Sequence, residues 1–184
     1  GYYSRARRIQ AAAQKIAGSH GGSLPQDLDD LLALPRIGTY TAAAILSLAF
    51  NQPVAAVDGN VERVFARVLN IPDPVKTRAS QNLIRNTAQA MIPEGQARAF
   101  NQALMELGAT VCLPRKPSCA ACPVLESCQS LAEGVVLERP VSGKQTRITP
   151  IQVAAGVLTR GSRIFIQKRP PQGLMANLWE FAGG

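Results

Sequence analysis

The sequence predicts a mainly helical protein followed by the opening strands of a second, α+β domain. Apolar residues recur at helical spacing over the first 110 residues, and four cysteines then lie within the seventeen residues 112–128. From residue 148 apolar and polar residues alternate, as in half-buried strands. We therefore expect four segments: a partial helical domain over 1–111, a cysteine loop over 112–128, a linker over 129–147 and the start of the second domain over 148–184.

Composition restricts the classes of protein to which the chain can belong. Of its 184 residues 46% are hydrophobic and 17% are charged, and no apolar run reaches the roughly 18 residues that span a bilayer. The net charge of +8 favours a polyanionic partner, although a basic surface also serves solubility alone. Because the chain opens at Gly1 without methionine and stops at Gly184 directly after a strand-like run, we expect an internal fragment.

Six helices are expected before the cysteines. The first is amphipathic, with Ile9 and Ile16 on one face and basic residues around the others. A Ser-x-x-Gln capping box opens the second, and Pro35 ends it. The third, fifth and sixth helices lie between proline or glycine residues that interrupt a helix. The fourth helix begins at Asp58 and carries an apolar stripe at 61, 64, 65, 68 and 69. The expected ranges are 3–17, 23–34, 39–50, 58–69, 77–91 and 96–108.

A short hairpin, Leu34-Pro35-Arg36-Ile37-Gly38, separates the second and third helices. Pro35 cannot continue a helix and Gly38 favours a turn, so the following helix starts with exposed backbone N–H groups. Such groups, with the helix dipole, bind a phosphate without reading base sequence. The predicted phosphate contacts are Arg36, Ile37, Gly38, Thr39 and Thr41. An ordinary helical turn in a bundle explains the same pattern.

Asp58 is the candidate reactive carboxylate. As an N-cap it accepts hydrogen bonds from the first amides of its helix, and this structural role alone accounts for an aspartate here. The same amides favour the ionised form, and an ionised carboxylate beside a sugar stabilises an oxocarbenium-like transition state or traps it covalently. Asn60 is a second polar group in the same turn.

The cysteines have the spacing Cys112-x6-Cys119-x2-Cys122-x5-Cys128. Thiolates this close together suit a tetrahedral metal ion or an iron–sulfur cube, and the spacing favours a [4Fe-4S] cluster over zinc. Disulfides are the alternative, although nothing in the sequence indicates secretion. Arg115 and Lys116 lie inside the first cysteine loop, where a folded loop presents them to phosphate.

Three motifs in order resemble the helix–hairpin–helix DNA glycosylase superfamily: LPRIGTYTAAAI, then VDGNVERV, then NQALMELGATVC leading into the cysteines. Within it the sequence is most similar to the adenine DNA glycosylases of the MutY type. The resemblance implies removal of adenine opposite 8-oxoguanine or G in double-stranded DNA, with Asp58 as the carboxylate that stabilises the cationic sugar. It also implies four cysteine ligands for [4Fe-4S] and a monovalent cation on the hairpin carbonyls. QKRPPQGLMANLWEFAGG resembles the opening of a Nudix-like domain that recognises 8-oxoguanine.

Tyr40 distinguishes between two activities found in the superfamily that this sequence resembles. Endonuclease III-like enzymes, which act on oxidised pyrimidines, carry a lysine at the matching position, where an amine forms a Schiff base and permits strand cleavage. A tyrosine cannot do so, and we expect base removal alone. An endonuclease III-like glycosylase/lyase and a non-catalytic iron–sulfur DNA-binding module remain the alternatives.

Two further expectations come from the resemblance. The general acid that protonates the departing adenine is a glutamate that precedes Gly1 in the superfamily, and Glu62 is expected to be solvated or ion-paired rather than a substitute. The fragment alone is therefore expected to be inactive. Arg36 stands where glycine is usual and would be strained at positive φ. We expect a monomer, without a membrane partner, in the cytoplasm at the nucleoid.

Overall fold

The computed structural model describes residues 3–143, 150–173 and 175–183. The chain divides into two compact units, residues 1–144 and 145–184, which are described separately. The predicted boundary between linker and second domain, at 147/148, lies outside the described residues, as do Gly1 and Gly184. Within the described ranges no helix is both long enough and apolar enough to cross a bilayer.

All of the regular secondary structure among the described residues of unit 1 is helical. Its α-helices are α1 (Tyr3–Ser19), α2 (Leu28–Leu32), α3 (Thr39–Ala44), α4 (Gly59–Val68), α5 (Arg78–Ala90), α6 (Ala97–Glu106) and α7 (Gln129–Ala132). Two of them continue as π-helical turns, α3 through Ile45–Ala49 and α6 through Leu107–Val111. Short 3-10 turns follow at Cys119–Ala121, Leu125–Ser127 and Val136–Glu138. The six helices expected before the cysteines are all present, with ends shifted by a few residues.

The π-helical turn after α3 leaves backbone carbonyls free to accept hydrogen bonds, and a side chain of α6 donates to them. Arg98 of α6 donates from Nε to the Leu48 carbonyl at 2.6 Å and from Nη2 to the Ala49 carbonyl at 2.8 Å. Ser47 is fully buried, and its hydroxyl donates back to the Ala43 carbonyl at 2.8 Å. The two Arg98 bonds hold α6 against the end of the helix that carries Tyr40.

Helix α4 lies at the centre of the larger of two core clusters. Val61 and Ala66 are fully buried, and they pack with Phe65 against Ile84 and Ala88 of α5. This confirms the apolar stripe predicted after Asp58. The smaller cluster joins α2 to α3 through four buried side chains: Leu31, Leu34, Ala42 and Leu46.

The structure corrects the predicted start of α2. The Ser23–Gln26 segment does not cap it; the helix begins at Leu28, and Asp27 is the N-cap. Asp27 Oδ1 accepts from the amides of Asp29 at 2.9 Å and Asp30 at 3.2 Å. A carboxylate one turn later competes successfully with the serine because aspartate is at least as good an N-cap.

Residues 129–143 of the predicted linker are structured within unit 1. They form α7 and the 3-10 turn Val136–Glu138, and the Val75 amide donates to the Val141 carbonyl at 3.1 Å. Ser130 is fully buried. The segment lacks helical periodicity because its backbone carbonyls, rather than an apolar stripe, attach it to α4.

Unit 2 contains three antiparallel two-stranded pairs within its described residues. The strands are β1 (Ala155–Gly156), β2 (Thr159–Arg160), β3 (Arg163–Ile164), β4 (Gln167–Lys168), β5 (Trp179–Glu180) and β6 (Ala182–Gly183). The pairs are β1–β6, β2–β3 and β4–β5. The β2–β3 register sets Arg160 opposite Arg163, so Gly161 and Ser162 form the turn between these two strands. The alternating residues 163–168 do not form one continuous strand, because the strand is interrupted after Ile164.

Candidate active site

Asp58 is the N-cap of α4, and its carboxylate is held by three hydrogen bonds. Oδ1 accepts from the backbone amides of Asn60 at 2.9 Å and Val61 at 2.8 Å. Oδ2 accepts from the Asn60 side-chain amide at 3.1 Å. The predicted cap is therefore present, and the donors fix the orientation of a partly buried carboxylate and stabilise its negative charge.

Asn60 is itself positioned by Arg63 and Gly108. Arg63 Nη2 donates to Asn60 Oδ1 at 2.9 Å and to the Gly108 carbonyl at 2.7 Å. A Cβ on Gly108 would lie 2.6 Å from Asn60 Cβ, so only glycine permits this approach. The Arg63 Nε donates to the Cys112 carbonyl at 2.8 Å, which ties the same arginine to the first cysteine.

Tyr40 lies on α3 close enough to Asp58 for their charges to interact. Partial burial, and secondarily the negative charge of Asp58, raises the pKa of Tyr40 above its usual 10.0. Its hydroxyl donates to Met105 Sδ of α6 at 3.6 Å. The phenol is therefore neutral at physiological pH and held between α3 and α6. The structure brings Tyr40, Asp58 and Asn60 together.

The hairpin positions Arg36 in a left-handed conformation. Its φ is 64°, a value that favours glycine, so the predicted conflict at this position is present. Gly38 is the N-cap of α3 and makes no side-chain capping bond, and its carbonyl accepts from the Ala42 amide at 2.9 Å. The first amides of α3 therefore begin without intrahelical partners. Thr39 and Thr41 are exposed on this first turn.

All four cysteines border a single cavity, with an apolar lining from α4 and the end of α6. None forms a disulfide. Burial, followed by the neighbouring Cys112 and Cys128 thiols, raises the pKa of Cys119. Within the described ranges no three or more His, Cys, Asp or Glu side chains form a group that could hold a metal ion. The donor set nevertheless suits a soft metal centre, because four reduced thiols face one enclosed space. Arg115 and Lys116 are exposed on the first cysteine loop.

Arg67 joins the cysteine segment to α4 and is 1% exposed. It donates to the carbonyls of Leu113 at 2.8 Å and Pro114 at 2.9 Å before the remaining cysteines. It also donates to the carbonyls of Val136 at 2.9 Å and Arg139 at 3.0 Å after them. One Nη1 contact reaches Cys112 Sγ at 3.3 Å. A single buried side chain therefore closes the cysteine loop at both ends.

Glu62 is ion-paired, as expected. Lys76 Nζ lies 2.6 Å from its Oε2, and Gln81 Nε2 donates to Oε1 at 2.9 Å. The carboxylate is nearly buried, whereas the lysine is 70% exposed. Because both of its carboxylate oxygens are paired, Glu62 helps to hold α4 against α5.

Sequence reasoning missed the residues that hold the site together. Arg63, Met105 and Gly108 lie within the quoted motifs and Arg67 lies outside them, but the sequence predicts no role for any of the four. One clue was available: Arg63 and Arg67 lie four residues apart on a helix that precedes a cysteine loop, so they share one face. The partners of that face are long-range, and the sequence does not reveal them.

Comparison with known proteins gives the class of this fold and site. Residues 1–89 match the family model described as "HhH-GPD superfamily base excision DNA repair protein". The chain is similar to a solved "thermostable thymine-DNA glycosylase", with a TM-score of 0.64 and 32% identity over 71% of this chain and 59% of that one. It is also similar to a solved endonuclease III–DNA complex, with a TM-score of 0.60 and 30% identity over 72% of this chain and 60% of that one.

Residues 1–89 of the chain therefore belong to this helix–hairpin–helix superfamily of base excision repair proteins. Its curated relatives include the human adenine DNA glycosylase, 37% identical over 230 aligned residues that include 98% of this chain. The chain spans 42% of the length of that relative.

Proposed function

We propose that the protein containing this chain is a monofunctional adenine DNA glycosylase of base excision repair. It hydrolyses the N-glycosidic bond of adenine paired with 8-oxoguanine or G in double-stranded DNA. The observation that carries this proposal is the Asp58 carboxylate, held at the N-terminus of α4 by two amides and by Asn60. The similarity of this chain to a curated adenine DNA glycosylase, which extends over 98% of this chain, supports adenine as the base that is removed.

In this reaction Asp58 faces the sugar of a flipped-out adenosine. As the glycosidic bond breaks, positive charge develops on the sugar, and a fixed carboxylate lowers the energy of that transition state. Asn60 and the α4 amides keep the carboxylate in place without reorganisation. Tyr40, neutral and anchored on Met105, lines the same space. The first amides of α3 hold a phosphate of the bound strand, with Arg36, Ile37, Gly38, Thr39 and Thr41 around it.

Asp58→Asn in the complete protein tests the role of the carboxylate. Asparagine caps a helix as well as aspartate, so stability should change little, while single-turnover adenine release should fall by about a thousandfold, roughly 4 kcal/mol of transition-state stabilisation. Asp27→Asn is the matched control, because Asp27 caps α2 with the same hydrogen-bond pattern. If D58N releases adenine at the wild-type rate, Asp58 is only a cap and the reading as a non-catalytic DNA-binding module gains support.

An endonuclease III-like glycosylase/lyase is the second candidate, favoured by the likeness to the solved endonuclease III–DNA complex. It requires an amine that attacks the sugar, and this chain has Tyr40 at the matching position in the hairpin motif. Borohydride reduction during turnover should therefore trap no protein–DNA adduct. A trapped adduct in the wild type would favour the lyase.

The same proposal assigns a [4Fe-4S] cluster to Cys112, Cys119, Cys122 and Cys128. Support comes from four reduced thiols on one cavity and from Arg67 closing the loop around it. When bound, the cluster cross-links the loop and fixes Arg115 and Lys116 for phosphate contact. Equal amounts of iron and inorganic sulfide in the purified protein are expected, and stoichiometric zinc would contradict the assignment.

The remaining assignments follow the resemblance. Residues 148–184 are proposed to begin the Nudix-like domain, and the hairpin carbonyls are proposed to hold a monovalent cation. Replacing sodium or potassium with a large organic cation, at constant ionic strength, should lower the affinity for duplex DNA. Unchanged affinity would remove the cation from the proposal.

A further inference from the structure

A groove between α1 and the hairpin is lined by three arginines. Arg5 and Arg8 line it from α1 and Arg36 lines it from the hairpin, while none of its lining residues is acidic. Within the described part of the chain, the guanidinium groups of Arg8 and Arg36 make no hydrogen bond or ion pair. Like charges gathered in one groove repel one another, and an anion entering the groove removes that cost.

The groove is a fixed feature of the fold. Lys15 Nζ donates to the Ala33 carbonyl at 2.7 Å, which fastens α1 to the residue before the hairpin. Ile16 of α1 and Ile37 of the hairpin both pack against the cluster around Leu31. The spacing between the two walls that carry the arginines is therefore set by packed side chains.

Arg36 supplies the second observation. At a φ of 64° an arginine is strained, whereas glycine adopts this conformation freely. Glycine would adopt this backbone conformation without strain, so any benefit of an arginine at this position comes from its side chain. Strain of this kind at a surface position points to use of that side chain in binding. The side chain that it places in the groove is a cation.

We propose that this groove binds a second backbone phosphate of the DNA, next along the strand from the phosphate held by the first amides of α3. The inference rests on the proposed function, which supplies DNA as the ligand. Thr41 belongs to the first turn of α3 and also lines the groove, so the two phosphate positions adjoin. Guanidinium forks bind phosphate oxygens in a bidentate manner, independently of base sequence.

The test measures the salt dependence of duplex binding by the complete protein. Arg8→Gln and Arg36→Gly should each lower the affinity several-fold at low salt and reduce the slope of log K against log [salt] by about 0.9. The affinity deficit of each variant should therefore shrink about threefold to fourfold between 50 and 200 mM salt. Arg7→Gln is the matched control, because Arg7 is an exposed arginine of α1 that does not line the groove.

Arg36→Gly adds a readout that a structural role would not reproduce. It should raise stability through relief of strain while it lowers affinity. Equal effects of R7Q and R8Q on duplex affinity would overturn the inference. An unchanged slope of log K against log [salt] in R8Q and R36G would also overturn it, even if the wild type releases adenine normally. A wild type that binds duplex but releases no adenine would instead refute the glycosylase assignment and leave the groove standing. Absence of duplex binding would refute both.

Discussion

Gly108→Ala should disable the site without unfolding the protein. The added Cβ would lie 2.6 Å from Asn60 Cβ and 3.0 Å from its backbone carbon and oxygen, whereas ordinary contact begins at 3.4 Å. Asn60 must therefore move by about 0.8 Å, and because backbone atoms are involved, a rotamer change does not relieve the clash.

The displacement acts directly on Asp58. Asn60 N lies 2.9 Å from Asp58 Oδ1, and a shift of this size along the bond lengthens it to about 3.7 Å, beyond the range of a hydrogen bond. The Asn60 side-chain bond to Oδ2 and the Arg63 bond to the Gly108 carbonyl are strained in the same movement. We expect about 1–3 kcal/mol of lost stability from overpacking, and a loss of about a hundredfold in rate from misplacement of the carboxylate.

Single-turnover adenine release by the complete protein, at saturating concentration and from a duplex with A opposite 8-oxoguanine, measures the rate loss. Thermal unfolding measures the stability loss on the same samples. Gly18→Ala is the control, since a Cβ on this α1 glycine meets nothing within 4 Å and should be neutral or stabilising by up to about 1 kcal/mol. A G108A variant that keeps the wild-type rate would show that the position of Asn60 does not govern Asp58.

Four further variants each test a single residue. Arg36→Gly should raise the free energy of unfolding by about 1 kcal/mol by removing left-handed strain, as measured by denaturant titration; a lower value would contradict the strained φ. Arg67→Met should cost about 3–5 kcal/mol because buried carbonyls lose their donor, whereas Lys76→Ala should cost less than about 1 kcal/mol, since the lysine is 70% exposed. Tyr40 keeps its proton to a higher pH in the folded state than in the unfolded state, so its contribution to stability is complete below pH 10.0 and is lost as pH rises through the folded pKa. Tyr40→Phe should reduce that alkaline loss in chemical unfolding, and identical pH profiles would refute the shift.

The sequence predicted the helices of unit 1 because their signals are local. The stripe on α4 and the breaks at proline and glycine need no knowledge of the rest of the fold. The N-cap role of Asp58 was predictable for the same reason, since its partners lie two and three residues away. The strained Arg36 was foreseeable from the family resemblance, because glycine is usual at that position.

The remainder of the site depends on pairs far apart in the chain. Arg63 reaches a carbonyl 49 residues away, and Tyr40 reaches a sulfur 65 residues away. No periodicity encodes such contacts, and backbone carbonyl acceptors leave no trace in residue type. The structured segment 129–143 was missed for this reason, since α4 holds it largely through carbonyls.

Helix α4 makes the geometry of the carboxylate depend on the cysteine loop. Its N-terminus carries Asp58, and two arginines farther along it bind the carbonyls of the loop. Arg63 bridges both ends of this chain of contacts, since it holds Asn60 with one nitrogen and the Cys112 carbonyl with another. If the loop loosens, Arg63 loses an acceptor and Asn60 loses its fixed partner. A cluster bound there would therefore stabilise the orientation of Asp58 by packing alone, with no change in oxidation state required.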